Sequence, residues 1–189
     1  ILPGYFWIFP LENNQANVGL GMMSNEVSKR KTNLRKTLAD IIENHPNIKH
    51  RFKDAKPMES VKGFGLPMGS KKRPCSGNRF LLIGDAASLI DPFSGEGIGM
   101  AIRSGRIAAD HLLKAFELNR FDAKFNAQYD KKIYSKMWFE LYFGYWLQKL
   151  LKYPAAFNFL INLAGKSSSV QTLLTFILDN RDIKNSILS

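Results

Sequence analysis

The clearest pattern in the chain is a change of hydrophobic period along its length. Residues 5 to 11 are aromatic and β-prone, Glu12-Asn13-Asn14-Gln15 reads as a turn, and residues 16 to 22 return as a second strand. This predicts a hairpin in which Tyr5, Trp7 and Phe9 share one face. A helix carrying Leu34, Leu38, Ile41 and Ile42 is expected to begin at Ser28 or Thr32 and to stop before His45-Pro46. Residues 47 to 56 read as a short helical or irregular connection, and residues 61 to 68, with Gly63, Gly65 and Pro67, as an irregular or edge strand. Residues 69 to 78 read as an exposed loop. The apolar run Phe80-Leu81-Leu82-Ile83 predicts a buried strand that delivers Asp85 at its C-terminal end.

A glycine-rich stretch follows, with Gly95, Gly97 and Gly99 at alternate positions, and then a helical pattern. Ile98, Ala101, Ile102, Gly105, Ala108, Ala109, Leu112 and Phe116 fall on its apolar face, and Arg103, Arg106, Asp110, Lys114 and Glu117 on its polar face. Ser94 is the expected N-cap and Glu96 suits a first turn. Residues 121 to 152 read as one long helix with Asp122 as its N-cap and a densely aromatic second half. Pro154 breaks it, an apolar helix spans 155 to 164, and a last short helix spans 170 to 178.

Composition narrows the function classes. The chain has 189 residues, 45% of them hydrophobic, with one cysteine and three histidines. A single cysteine excludes an intrachain disulfide and fits a reducing compartment, and no histidine stands at metal-ligand spacing, so no metal is expected. Cys75 has no evident base beside it and reads as incidental. The net charge of +11 gathers at Lys29-Arg30-Lys31, Arg35-Lys36, residues 49 to 56 and Lys71-Lys72-Arg73. These read either as solvated faces or as attraction to an anionic membrane or a prenyl diphosphate. Helix-turn-helix, zinc-finger and RNP patterns are missing, so nucleic acid is not an expected partner. The apolar stretch 155 to 165 is too short for a bilayer. A cytoplasmic location, or one peripheral to the membrane, is expected. The opening Ile1-Leu2-Pro3 reads as the start of a piece of something longer.

The junction between loop and helix carries the candidate chemistry. Amides at a helix start have no intrahelical partner, and glycines let a flat or anionic ligand lie directly on them. By residue type alone this is equally a packed strand, turn and helix. The whole string is more specific. Gly84-Asp85-Ala86-Ala87, then Pro92-x-x-Gly95-x-Gly97, resembles the second flavin-binding motif of FAD-dependent oxidoreductases of the p-hydroxybenzoate hydroxylase fold. Ser94-Gly95-Glu96-Gly97-Ile98, with Ser104-Gly105 beyond it, resembles the geranylgeranyl reductase branch. Tyr5-x-Trp7-x-Phe9-Pro10 followed by Gly19-x-Gly21 is similar to the motif with which that family lines its substrate cavity.

The resemblance implies cofactor-binding roles for Gly84, Asp85, Pro92, Gly95, Glu96, Gly97 and Ile98, with Asp85 on the ribityl chain and the turn facing the pyrimidine edge of the flavin. For Glu96, a first-turn role in the helix explains the residue equally well. The same resemblance implies substrate-binding roles for Tyr5, Trp7 and Phe9, although an aromatic stripe alone is more often core. It identifies no catalytic proton donor. The fold it implies is α+β, a partial p-hydroxybenzoate hydroxylase-like flavoprotein. Residues 1–75 would be a substrate-domain portion, 76–120 the closing strand, loop and helix of the FAD domain, and 121–189 a C-terminal helical region. The N-terminal Rossmann strand–helix unit, with its Gly-x-Gly-x-x-Gly, has no counterpart in the sequence, and Gly63-Phe64-Gly65 does not supply one.

The implied activity is reduction of carbon–carbon double bonds of an isoprenoid chain by hydride transfer from reduced FAD. NAD(P)H or a ferredoxin-like protein would be the external electron donor. Two other functions are to be weighed against it. One is an FAD-dependent monooxygenase or halogenase on the same fold, against which the aromatic hairpin motif counts. The other is a flavin-free lipid-binding or assembly fragment, which the missing nucleotide fingerprint favours.

Overall fold

The computed structural model describes residues 4–172 as a mixture of helices and two small sheets. The chain divides into two compact units, residues 1–65 and 66–189.

In the first unit, β1 (Gly4–Pro10) pairs antiparallel with β2 (Ala16–Met22), as the alternating pattern predicts. Asn13 and Asn14 both take φ 56°, and the Leu11 N–H closes the turn on the Gln15 carbonyl at 2.9 Å. Asparagine tolerates this left-handed backbone better than most residues, which is why Asn-Asn marks the turn. Two helices follow, α1 (Ser24–Arg30) and α2 (Leu34–Asn44). The expected single helix start at Ser28 or Thr32 is therefore corrected. α1 ends where Lys31 turns left-handed at φ 50°, and α2 is capped by Asn33, whose side chain accepts the Lys36 N–H at 3.1 Å. Leu38 and Ile41 of α2 are buried, and a 3-10 turn over Lys49–Phe52 continues the chain. Residues 61 to 67 form no strand and are mostly exposed.

In the second unit, the predicted buried strand is reduced to a two-residue pairing of β3 (Ser76–Gly77) with β4 (Phe80–Leu81). Phe80 is 50% exposed and Ile83 lies open as well. A central strand needs a neighbour along each edge, and among the described residues this segment has one short partner. The expected exposed loop of residues 69 to 78 is also corrected. Cys75 within it is fully buried in the core with Leu89, Met100, Tyr129, Ile133, Met137 and Leu141. Tyr134 fastens the loop: its hydroxyl accepts the Arg73 N–H at 2.8 Å and donates to the Arg73 carbonyl at 2.7 Å. It also lies 3.3 Å from Cys75 Sγ, and burial pushes the thiol above its usual range.

Two long helices organise this unit, α3 (Ile98–Glu117) and α4 (Ala123–Leu150). Asp122 caps α4 as predicted, accepting the Phe125 N–H at 3.0 Å, and that bond lowers its carboxyl pKa. α4 buries Phe125, Tyr129, Ile133, Met137 and Leu141, one residue per turn. The Tyr129 hydroxyl donates to the Leu82 carbonyl at 2.7 Å, and burial raises its pKa. Against this stripe α3 buries Met100, Ser104, Ala108, His111 and Ala115. Of the apolar face expected for α3, Ala108 is buried in this contact and the large residues are not. Ile98 is 79% and Phe116 71% exposed, and Ile102, Leu112 and Leu113 are exposed too. The smaller residues pack because close approach of two helices favours short side chains at the crossing. Asn126 of α4 faces His111 at 3.0 Å.

After α4 comes α5 (Pro154–Lys166), in which Pro154, expected only to break the preceding helix, is the first residue. Residues 168–172 are helical, and the rest of the helix predicted over 170 to 178 lies outside the described residues. Among the described residues no helix is long and apolar enough to cross a membrane.

Candidate functional site

On the hairpin the two halves of the sequence motif meet in register. Tyr5 pairs with Gly21, Trp7 with Gly19 and Phe9 with Asn17. The Trp7 ring lies across Gly19, where any Cβ would collide with it, and the Tyr5 ring rests 3.4 Å from the Cβ position of Gly21. The glycines thus let the aromatic rings lie down over the neighbouring strand. Ring centroids stand 5.7 Å apart from Tyr5 to Trp7 and 6.1 Å from Trp7 to Phe9, and the Trp7 indole N–H donates to Asn17 Oδ1 at 2.8 Å. Within its own unit this ladder is open, with Phe9 60% exposed. It is a flat apolar strip oriented by one hydrogen bond.

In the second unit the segment from Gly84 to Gly97 folds back on itself. Gly84 takes φ +52° at the head of a 3-10 turn, Gly84–Ala87, and a Cβ there would stand 2.8 Å from Ala101 Cβ. Conformation and space together require glycine at this position. Its N–H is held by Ser104 Oγ of α3 at 3.0 Å. The turn places Asp85 outward, and its carboxylate accepts no hydrogen bond among the described residues. The Cβ position of Gly97 lies 3.2 Å from Asp85 Oδ1. Asp85 and Gly97, twelve positions apart by number, are therefore neighbours, and a side chain at Gly97 would crowd the carboxylate.

Between them, Asp91 organises the loop. Its Oδ1 accepts the N–H of Phe93 at 3.0 Å, the N–H of Ser94 at 2.7 Å and the hydroxyl of Ser94 at 2.8 Å. Its backbone N–H donates to the Glu96 carbonyl at 2.8 Å, and its carbonyl accepts from Gly95 N–H at 3.0 Å. Gly95 sits at φ +77°, Pro92 is fully buried, and the loop closes as a compact Asx turn. Asp91 was missed from the sequence, although Asp-Pro-x-Ser is a turn signature. Ser94 serves this turn and does not cap α3, contrary to expectation. The N-cap is Gly97, without a side-chain bond.

Ala101 is the first residue to donate back into α3, to the Gly97 carbonyl at 2.8 Å, so the amides of Ile98, Gly99 and Met100 precede the helical ladder. Glu96 stands before the Gly97 N-cap and not in the first turn as expected, and it takes one of these amides, its Oε1 accepting the Gly99 N–H at 2.5 Å. Ile98 projects into solvent. Nearby, Arg103 Nη1 pairs with Glu140 Oε2 of α4 at 2.7 Å. Burial pushes the Glu140 carboxyl up, Asp91 and Glu96 push it the same way, and Arg103 opposes them.

These residues fit a flavin cofactor on one structural ground. An unengaged outward carboxylate stands beside a glycine whose missing side chain leaves room for a ligand, next to a helix start with outward amides. Among the described residues no group of three His, Cys, Asp or Glu side chains could hold a metal ion.

Comparison with known proteins agrees with the resemblance read from the motifs. A family model described as the geranylgeranyl reductase catalytic domain matches residues 3–64. The digeranylgeranylglycerophospholipid reductase of Thermoplasma acidophilum is 38% identical over 130 residues, covering 69% of this chain and 31% of the relative. The menaquinone reductase of Mycobacterium tuberculosis strain H37Rv is 36% identical over 121 residues, 64% of this chain and 28% of its own length. The crystal structure of a geranylgeranyl bacteriochlorophyll reductase-like protein from Thermoplasma acidophilum aligns with a TM-score of 0.63 at 30% identity, over 84% of this chain and 39% of that one. The chain spans about a third of the length of the curated relatives it matches. The chain is geranylgeranyl reductase-like.

Proposed function

We propose that the chain forms part of an FAD-dependent oxidoreductase that reduces carbon–carbon double bonds of an isoprenoid chain, as a partial p-hydroxybenzoate hydroxylase-type flavoprotein. The observation that carries this reading is the juxtaposition of the outward Asp85 carboxylate with Gly97 at the start of α3. Asp85 would accept hydrogen bonds from the ribityl hydroxyls. Gly84, Pro92 and Gly95 shape the backbone around it. The amides at Gly97 and Ile98, at the positive end of the helix, favour negative charge at the pyrimidine edge. Glu96 belongs to this edge through Gly99 and holds the first turn in place. FAD, when bound, supplies the hydride, and its electrons come from NAD(P)H or a ferredoxin-like donor.

On this reading residues 1–75 belong to a substrate domain, 76–120 close the FAD domain and 121–189 are a C-terminal helical region. Tyr5, Trp7 and Phe9 supply an apolar wall for the prenyl chain, holding an alkene in a reactive position and excluding water. Trp7→Ala in the full-length protein should then change which double bonds, or how many, are reduced in a digeranylgeranyl lipid, as read by mass spectrometry of the products. Flavin content should stay near normal. Saturation of the same bonds to the same extent would assign Trp7 to hairpin packing, and absence of any alkene reduction by the unaltered, reduced holoprotein would overturn the proposed activity.

A lipid substrate also suits peripheral contact with a membrane. Trp146, Tyr153 and Phe159 are exposed, and the Lys149 ammonium lies 4.5 Å from the Tyr145 ring centroid and 5.0 Å from that of Trp146. Aromatic rings interleaved with lysines favour an anionic lipid surface. The full-length protein should float with phosphatidylglycerol-containing liposomes at low salt and be released at high salt, where charge attraction is screened. Failure to float at low salt would remove membrane contact from the reading.

A further inference from the structure

Glu140, Gly144 and Gln148 form one evenly spaced stripe along α4, of which Gly144 and Gln148 reach the 91–97 loop and Glu140 reaches α3. Gly144 is buried with its Cα against Asp91, and any Cβ there would run into Asp91 Oδ2. One turn later, the Gln148 side-chain amide donates to the carbonyl of buried Pro92. One turn earlier, Glu140 pairs with Arg103 at 2.7 Å and ties the first turns of α3 to the same helix. The loop is thus fastened from outside at both of its first two residues, and the helix that follows it is fastened at a third point.

We propose that α4 is the positioning element of the cofactor loop, and that Gly144 and Gln148 set FAD affinity through the loop backbone without touching the cofactor. This rests on the flavin reading above. A loop already held in its binding conformation loses less freedom when a ligand orders it. Asp91 supplies the turn from within, and the α4 stripe fixes where that turn stands relative to the start of α3. Gly144 is the point of closest approach, since only a residue without Cβ leaves the Asp91 carboxylate its place. Gln148 is the point that can be altered without crowding, because its single bond to Pro92 can be removed with nearly the same side-chain volume.

The test uses full-length holoprotein and titration of its apoprotein with FAD. Gln148→Leu should raise the FAD Kd about fivefold to tenfold and shift the visible absorbance band of the bound flavin. The melting temperature of the apoprotein should stay close to that of the unaltered protein. Gly144→Ala should lower affinity further. If that variant does not fold, Gln148→Leu carries the test alone. Lys136→Ala, at an exposed position of the same helix, should change neither affinity nor spectrum. Unchanged affinity and spectrum in Gln148→Leu would overturn the positioning role while leaving the flavin reading intact, as would a loss of affinity that only follows a loss of apoprotein stability. An unaltered protein that binds no FAD would overturn both.

Discussion

Asp91→Ala should lower the stability of the full-length protein by about 3 kcal/mol and strip most of its FAD in the same step. One carboxylate oxygen accepts three donors, the N–H groups of Phe93 and Ser94 and the Ser94 hydroxyl. Asp91 itself is buried. Each buried donor left without a partner costs roughly 1–3 kcal/mol, reduced where relaxation lets water in. The turn that Asp91 closes also sets Gly95 at its positive φ and places Glu96 to hold Gly99. Losing it would therefore release the start of α3 as well as the loop. Asp91→Asn keeps an oxygen in the accepting position and should retain most of both properties. Thermal melting of the apoproteins and FAD content of the purified holoproteins measure the two effects. If Asp91→Ala kept its FAD and its melting temperature, the loop would be held by its contacts with α4 alone.

How much of this was legible in the sequence depended on whether the signal was local. The hairpin was, because alternation, an Asn-Asn turn and paired glycines all act between near neighbours. The Asp122 cap was legible for the same reason. α3 shows the limit. It is apolar on two sides, and counting large residues favours Ile98, Ile102, Leu112 and Phe116 as the packed face. The structure packs the side with Ser104, Ala108 and Ala115, since small residues let α3 approach the Tyr129–Ile133–Met137 stripe of α4. Periodicity reports that a helix has an apolar face, and it cannot report which neighbour is nearest.

The candidate site divides in the same way. Gly84, Asp85, Gly95 and Gly97 were singled out through their resemblance to a flavin-binding motif, and of them Gly84 and Gly95 take a positive φ. Ser94 was misassigned as the α3 cap because the turn that consumes its side chain is closed by Asp91, whose Asp-Pro-x-Ser turn signature went unread. Glu140, Gly144 and Gln148 lie more than forty positions beyond the loop. No spacing rule links them to Asp91 and Pro92, and only the packing of α4 does so. The burial of Cys75 was hidden likewise, since it depends on Tyr134 reaching back across the second unit.

Asp85→Ala should separate the cofactor site from the fold, because the carboxylate makes no bond within the described residues and stands exposed. Its removal should leave the far-ultraviolet circular dichroism and the melting temperature of the full-length apoprotein nearly unchanged. FAD affinity should fall about ten- to a hundredfold. Hydrogen bonds to a charged group are worth about 1.5–3 kcal/mol, and each 1.4 kcal/mol is tenfold in a dissociation constant. Asp85→Asn retains an accepting oxygen without the charge and should fall between the two. The position of Gly97 sharpens the comparison: a Cβ there would lie 3.2 Å from Asp85 Oδ1, so Gly97→Ala should weaken FAD binding by crowding the same atom. In the double variant Asp85→Ala, Gly97→Ala the carboxylate that the new methyl would crowd is gone, so the two losses should sum to less than their separate values. Equilibrium titration of the four apoproteins with FAD measures this coupling. Full affinity in Asp85→Ala, with a lowered melting temperature, would make Asp85 a residue that orders the Gly84–Ala87 turn and would withdraw it from the cofactor site.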